Sequence, residues 1–154
     1  MPCPIARSLE RVGEWWSILI LREAFYGLTR FDEFQKSLAI APNILTRRLN
    51  ALVKAGLLKR RRYSQRPPRY EYRLTEKGRD LWSVLTALRL WGDKWIYGPG
   101  KEPLIVRDRD RGAVVAQLLP ADADGNMLDP RRLVALAGPG TSRDVAARYR
   151  RPAR

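Results

Sequence analysis

Residues 42–74 read PNILTRRLNALVKAGLLKRRRYSQRPPRYEYRL and hold ten Lys or Arg against a single acid, Glu71. Pro42 suits the first position of a helix, where its missing N–H costs nothing. Behind it, Leu45, Leu49, Leu52 and Val53 recur on one side of a helical period. Asn43, Arg47, Asn50 and Lys54, at i, i+4, i+7 and i+11, fall on the other side. Gly56 stops this helix. Residues 57–63 and 69–74 then read as two strands, with Tyr70, Tyr72 and Leu74 alternating against Arg69, Glu71 and Arg73 and residues 64–68 as the loop. Lys59, Arg60, Arg61, Arg62, Arg66, Arg69 and Arg73 all lie within fifteen residues.

Upstream, Phe31, Phe34 and Leu38 predict a short amphipathic helix from about Arg30 to Leu38, and Ala39-Ile40-Ala41 a three-residue turn. Two helices joined so tightly, the second striped with Asn, Arg and Lys, have the form of a helix-turn-helix, and the basic ribbon makes it a winged helix. Arg can bond guanine through two hydrogen bonds, Asn can bond adenine, and Thr46 can meet a phosphate or a thymine methyl. A polar stripe alone more often faces water. The attached ribbon is what favours DNA, because a projecting tip with Arg66 and Arg69 suits a phosphate rail or a narrow minor groove. Asn43, Thr46, Arg47, Arg48 and Asn50 are therefore expected to read the major groove, Lys54 and Arg60 to hold phosphates, and Arg66 and Arg69 to place the wing.

Farther out, Cys3-Pro4-Ile5 looks like a helix start, and that helix runs to about Val12 before Gly13 breaks it. Residues 15–26 are apolar nearly all round, as in a helix buried on most sides, and Gly27 ends them. After the ribbon, Thr75 is a cap residue for a long helix carrying Leu81, Leu85, Leu88, Trp91 and Trp95 at steps of three or four. A helix of roughly twenty residues outruns what so small a domain can cover, so a symmetric homodimer is expected.

Composition narrows the function classes. At 154 residues, 17.7 kDa and 45% apolar content, the chain has room for one domain and an appendage. A net charge of +14 and a pI near 10.8 point to a polyanionic partner, with double-stranded DNA first. A membrane partner is not expected: there is no run of 18 apolar residues, and Met1-Pro2-Cys3-Pro4 lacks the order of a signal peptide, which places the chain in the cytoplasm. One cysteine and no histidine leave no internal disulfide and no Cys/His zinc site. There is no imidazole for acid–base work, no GxSxG elbow, no GxxxxGK[ST] loop and no GxGxxG after a strand, so no enzyme and no cofactor are expected.

The ordered series Cys3-Pro4-Ile5-Ala6-Arg7, Gly13 with Trp16, Ile18-Leu19-Ile20-Leu21-Arg22-Glu23, Arg30-Phe31, Leu45-Thr46-Arg47-Arg48-Leu49, Ala55-Gly56-Leu57, Pro67 to Thr75 and Gly78-Arg79 resembles the HxlR-type winged helix-turn-helix regulators of bacteria. The resemblance spans about Cys3 to Trp95. It implies a homodimeric DNA-binding transcription factor whose first and last helices pair, with a recognition helix and a wing from each copy on a two-fold site. Family members more often carry lysine where this chain has Trp15. With Trp16, Trp82, Trp91 and Trp95, Trp15 could line a pocket for a small aromatic effector or lie in the dimer interface, although aromatic stripes are usually plain core. Several members of the resembled family sense electrophiles or oxidants through a cysteine at the position of Cys3, and a helix N-terminus favours the reactive form of a thiol. The bland alternative is an inert thiol near a frayed terminus.

Gly98-Pro99-Gly100 and Gly138-Pro139-Gly140 bracket a segment of different composition. Residues 104–106 and 113–119 read as strands and Asp124-Gly125-Asn126 as a turn. Some relatives carry a zinc ribbon here, and residues 108–112 with 121–125 look like that ribbon with its ligands replaced, Arg111, Ala121 and Asp124 standing where thiols would be expected. No metal is expected, and Asp122 and Asp124 lack the rest of a calcium loop. The expected division is thus a winged helix-turn-helix domain at 1–97, a small β module at 101–137 and an Arg-rich flexible tail at 138–154. The fold class is α+β, mainly α. The competing reading is a winged-helix module whose basic face binds an acidic protein or RNA.

Overall fold

The computed structural model describes residues 3–141. Four helices come first: α1 (Pro4–Val12), α2 (Trp15–Phe25), α3 (Phe31–Leu38) and α4 (Pro42–Lys54). An antiparallel ribbon follows, β1 (Leu58–Gln65) and β2 (Pro68–Leu74), then α5 (Glu76–Arg79) and α6 (Trp82–Gly92), which runs into a π-helical turn at Asp93–Tyr97. Among the described residues of the C-terminal third lies a 3-10 turn, Pro130–Arg132. The first four helices and the ribbon match the sequence pattern closely because their signals are local: Pro at the starts of α1 and α4, and glycine at the stops.

One core joins these elements. Ile20 and Leu21 of α2, Phe34 of α3, Leu45, Leu49 and Leu52 of α4 and Leu58 of β1 are all buried, with Val12, Ile40, Leu57 and Tyr72 closing the edges. Glu23 is buried beside them, its carboxylate accepting from Ser37 Oγ at 2.9 Å, which ties α2 to α3. Between α3 and α4, Ala39 takes a left-handed conformation (φ +48°), which turns the chain sharply enough for Ile40 to drop into the core. At the start of α3, Glu33 Oε2 accepts the backbone N–H groups of Thr29 and Arg30, both at 2.9 Å. These bonds, chiefly that from Thr29, hold its carboxyl below its ordinary value of 4.5.

The end of α4 is locked to the chain beyond the ribbon. Gly56, at φ +72°, lets the Leu57 N–H reach Leu52 O at 3.0 Å, a left-handed helix stop. Thr75 Oγ1 approaches the Gly56 and Leu57 carbonyls at 2.7 and 3.2 Å and accepts from the Gly78 N–H at 3.0 Å. Lys77 Nζ donates to Ala55 O at 2.8 Å. Gly78 sits so close to this junction that a Cβ there would lie 2.1 Å from Leu57 O.

Three expectations need correction. The ladder extends to Gln65↔Pro68, so the wing tip is Arg66-Pro67 rather than the whole of residues 64–68; backbone pairing does not need the apolar alternation that marks strands in sequence. The long helix expected from Thr75 is two helices. Gly78 pins α5 to the end of α4 while α6 packs on α2, and the turn between them, closed by Leu81 N–H to Gly78 O at 3.2 Å, accommodates both directions. The strands expected at 104–106 and 113–119 are not continuous; single bridges at Arg107↔Val114 and Ala121↔Met127 stand in their place. Most of the Arg-rich tail, residues 142–154, lies outside the described residues.

Candidate nucleic-acid interface

The buried leucines of α4 fix which way the rest of that helix points. With Leu45, Leu49 and Leu52 inward, Asn43, Thr46, Arg47, Asn50 and Lys54 are all exposed on the opposite side. Arg47 and Lys54 have no acidic partner among the described residues. Thr46 Oγ1 donates to Pro42 O at 2.9 Å, which occupies its only proton. Arg48, grouped by sequence with the reading residues, does not stand on this face. Its guanidinium Nη2 lies 2.9 Å from Glu14 Oε1 at the head of α2, its side chain is only 16% exposed, and its Nε is buried with no partner. The α4 helix carries Arg48 toward α2 because it lies one residue short of Leu49 on the inward-turning side.

The ribbon has two unlike faces. Cross-strand partners Arg60↔Tyr72 and Arg62↔Tyr70 share one, Lys59↔Arg73 and Arg61↔Glu71 the other. On the first face the Arg60 guanidinium stacks over Tyr70, 4.5 Å from the ring centroid. On the second, Glu71 is buried and accepts from Arg73 Nε and Nη2 at 2.9 and 3.2 Å, with Arg61 Nε at 3.9 Å. The Arg73 hydrogen bond, aided by the charges of Arg61 and Arg30, pulls the Glu71 carboxyl below its ordinary value. One acid therefore absorbs Arg61 and Arg73, while Arg60, Arg66 and Arg69 keep their charge uncompensated among the described residues.

Arg30 is a residue that the sequence pattern did not single out for this surface. Its backbone bridges Glu71, and Thr29 O accepts from the Tyr72 N–H at 2.7 Å, so the chain before α3 is tied by a single bridge to the outer edge of β2. Its guanidinium lies 4.9 Å from the Tyr63 ring centroid. An open groove lined by Phe31, Asp32, Tyr63, Pro68, Arg69 and Tyr70 separates the start of α3 from the wing. The signal in the sequence was the pairing of an Arg before α3 with tyrosines on a ribbon, visible only once the strand register is known.

A two-helix unit with a short turn, a polar outer face on its second helix and a basic ribbon is the arrangement of a winged helix-turn-helix, and residues 11–98 match the sequence pattern described as HxlR-like helix-turn-helix. The chain belongs to the HxlR-like family. An uncharacterised HTH-type transcriptional regulator of Mycobacterium tuberculosis is 39% identical over 143 residues, covering 93% of this chain and 90% of that one. The solved structure of a candidate transcription factor from Pseudomonas aeruginosa shares 53% identity over 95% of this chain and 99% of its own, with a TM-score of 0.69. The redox regulator HypR in its reduced form is 33% identical over 58% of this chain and 90% of its own, with a TM-score of 0.55. This HxlR-like chain is accordingly a transcriptional regulator of helix-turn-helix fold.

The remaining residues singled out by sequence are dispersed. Trp15 and Trp16 stack at the head of α2, ring centroids 4.2 Å apart, while Trp82, Trp91 and Trp95 are exposed along α6 and the π turn. None of the four clearest grooves among the described residues is lined by any of the five. Among the described residues, the outer side of α6 and the π turn carries Trp91 and Trp95 exposed. Cys3 is the half-buried cap residue of α1. Asp122 accepts from the Asp124 and Asn126 N–H groups at 3.0 and 2.8 Å and from Asn126 Nδ2 at 3.1 Å, a turn that uses both its carboxylate oxygens. No helix of the described residues is long and apolar enough to cross a membrane.

Proposed function

We propose that this HxlR-like regulator acts as a homodimer that binds double-stranded DNA in a sequence-selective way. The observation that carries the reading is the exposed Asn43, Arg47, Asn50 and Lys54 stripe beside a ribbon whose Arg60, Arg66 and Arg69 lack acidic partners. Asn43, Arg47 and Asn50 read base edges in the major groove, and Thr46 meets a thymine methyl. Lys54 and Arg60 hold phosphates, and Arg66 and Arg69 place the wing on the backbone or in the minor groove. Arg48 serves as a strut: paired with Glu14, it sets the position of α4 against α2.

Pairing of copies is supported by apolar surface that a monomer rarely leaves uncovered. Ile5 and Leu9 of α1, Trp15, and Leu88, Trp91 and Trp95 beyond the core are all more than half exposed. Two copies joined there present two recognition helices to half-sites about one helical turn, roughly 34 Å, apart. Cys3 is the point at which an electrophile or oxidant would enter, a reading supported by its place at the head of α1 and by the likeness to HypR.

Selection of bound duplexes from a random pool at about 150 mM salt tests the reading. An inverted repeat should emerge, with binding lost on treatment with a thiol-reactive quinone and retained in Cys3→Ser. Enrichment unaffected by quinone removes the switch and keeps the regulator. No enrichment, or preference for single strands, moves the assignment to a protein- or RNA-binding module.

A further inference from the structure

Beyond residue 100 the described chain has apolar side chains and no core. No residue from 101 to 140 is buried. Ile105, Val114, Met127, Leu133, Val134 and Leu136 are each more than half exposed, the last at 76%. What order this segment has comes from backbone bridges and from its tie to α6, where Arg89 Nη2 donates to Val115 O at 3.1 Å while Nη1 holds Asp93 Oδ2 at 2.5 Å. A free-standing module of this size would need a core, a metal or a disulfide, and the segment shows none of these among its described residues.

Its charge indicates what covers it. Residues 101–141 hold six bases and six acids, a net charge of zero in a chain of +14. That balance gives no attraction to nucleic acid or to an acidic peptide, so the natural occupant is an apolar protein surface. Residues 142–154, outside the described residues, carry five Arg with Val145 and Tyr149 as their large apolar side chains, so their composition offers little apolar surface. A second copy can supply one. Arg89 holds Val115 against the element whose outer side exposes Leu88, Trp91 and Trp95, so a copy docked on that side also meets the segment. Two-fold pairing then offers each segment to the other copy. The segment is shared almost to its end by the Pseudomonas protein, whereas the match to HypR takes in 58% of this chain, so the helix-turn-helix does not need it.

We propose that residues 101–141 form an arm that completes its apolar packing only against a second copy of this chain, extending the α1 and α6 interface. The proposal rests on the homodimer reading above. The test uses the full chain with a photoreactive benzoylphenylalanine at Val134, prepared as a mixture of 14N and 15N copies. Light scattering on the unmodified chain comes first. A monomer there overturns the homodimer reading and the arm with it. Given a dimer, irradiation should yield cross-linked peptides of mixed isotope, joining the arm to α1, α6 or the arm of the other copy. Cross-links of a single isotope only, or none, overturn the arm and leave the dimer standing. Val134→Glu with Leu136→Glu supplies a second readout, since both side chains are exposed in one copy and their replacement leaves its fold intact. The dimer dissociation constant should rise by about tenfold or more. An unchanged constant also overturns the arm.

Discussion

Residues 42–74 and residues 82–136 both expose many large side chains, but the two regions differ in what would satisfy them. In the first, the exposed groups are charged or polar, water solvates them, and the main inward groups have partners in the same chain: Leu45 in the core, Arg48 Nη2 on Glu14, Glu71 under Arg73, and the carbonyls just past α4, those of Ala55 and Gly56, on Lys77 and Thr75. In the second, the exposed groups are Leu88, Trp91, Trp95 and the aliphatics of the arm, which water does not satisfy. The first region is complete as a monomer and waits for a ligand. The second is left uncovered within one copy, as the proposed dimer requires, so the difference lies in the kind of exposure and not in its amount.

Substitutions can break that contrast. The largest effect should come from Gly78→Ala, whose Cβ would meet Leu57 O at 2.1 Å. A loss of roughly 3 kcal/mol in urea unfolding is expected, independent of protein concentration because the junction lies within one copy. A loss that shrinks at high concentration would place this junction in the second class. Trp91→Ser should do the reverse: little change in the unfolding of an isolated copy, but dimer affinity weakened by about 2 kcal/mol in sedimentation equilibrium. If it destabilises the monomer instead, α6 is core and the contrast fails.

Smaller effects sharpen the polar side. Arg47→Ala should lower the preference for operator over random duplex by about 1–3 kcal/mol, while Arg66→Ala should weaken both alike and flatten the salt slope; equal behaviour would void the division between base reading and phosphate holding. Tyr70→Leu should weaken DNA binding by about 0.5–1 kcal/mol through the loss of the Arg60 stack. No further loss is expected on top of Arg60→Ala, and an additive loss would show that Tyr70 acts by another route.

The smallest effect concerns pH. Glu33 has its carboxyl lowered by the Thr29 and Arg30 N–H groups, so its charged form stabilises the fold above the ordinary value of 4.5. That contribution disappears as pH falls through the lower native value. Glu33→Gln, which keeps an accepting oxygen but not the charge, should cost under about 1 kcal/mol at pH 7, a difference that shrinks as pH falls through the lowered native value. A pH-independent difference in thermal melts would show that packing, not charge, is at work.

The basic unit was legible in the sequence because its signals are short in range. Leucines at helical spacing choose the inward face of α4, Pro42 and Gly56 bound it, and alternating Tyr and Arg define β2. The α6 and arm regions were legible in composition but not in form. Their stripes predicted one helix and two strands, and competing demands from Gly78, Leu57 and α2 divided the helix, while the strands, with no layer behind them, shrank to single bridges.

By itself, then, the sequence determined the helix-turn-helix, the ribbon, the basic face and the family, since periodicity, caps and charge runs act over a few residues. Only the tertiary structure decided that Arg48 turns away from that face to Glu14, 34 positions back, that Arg30 joins the wing over Tyr63, and that one buried Glu71 absorbs Arg61 and Arg73. It also decided which apolar stripes enter the core and which remain uncovered. These outcomes depend on which distant surfaces meet, and a local pattern carries no information about its distant partner.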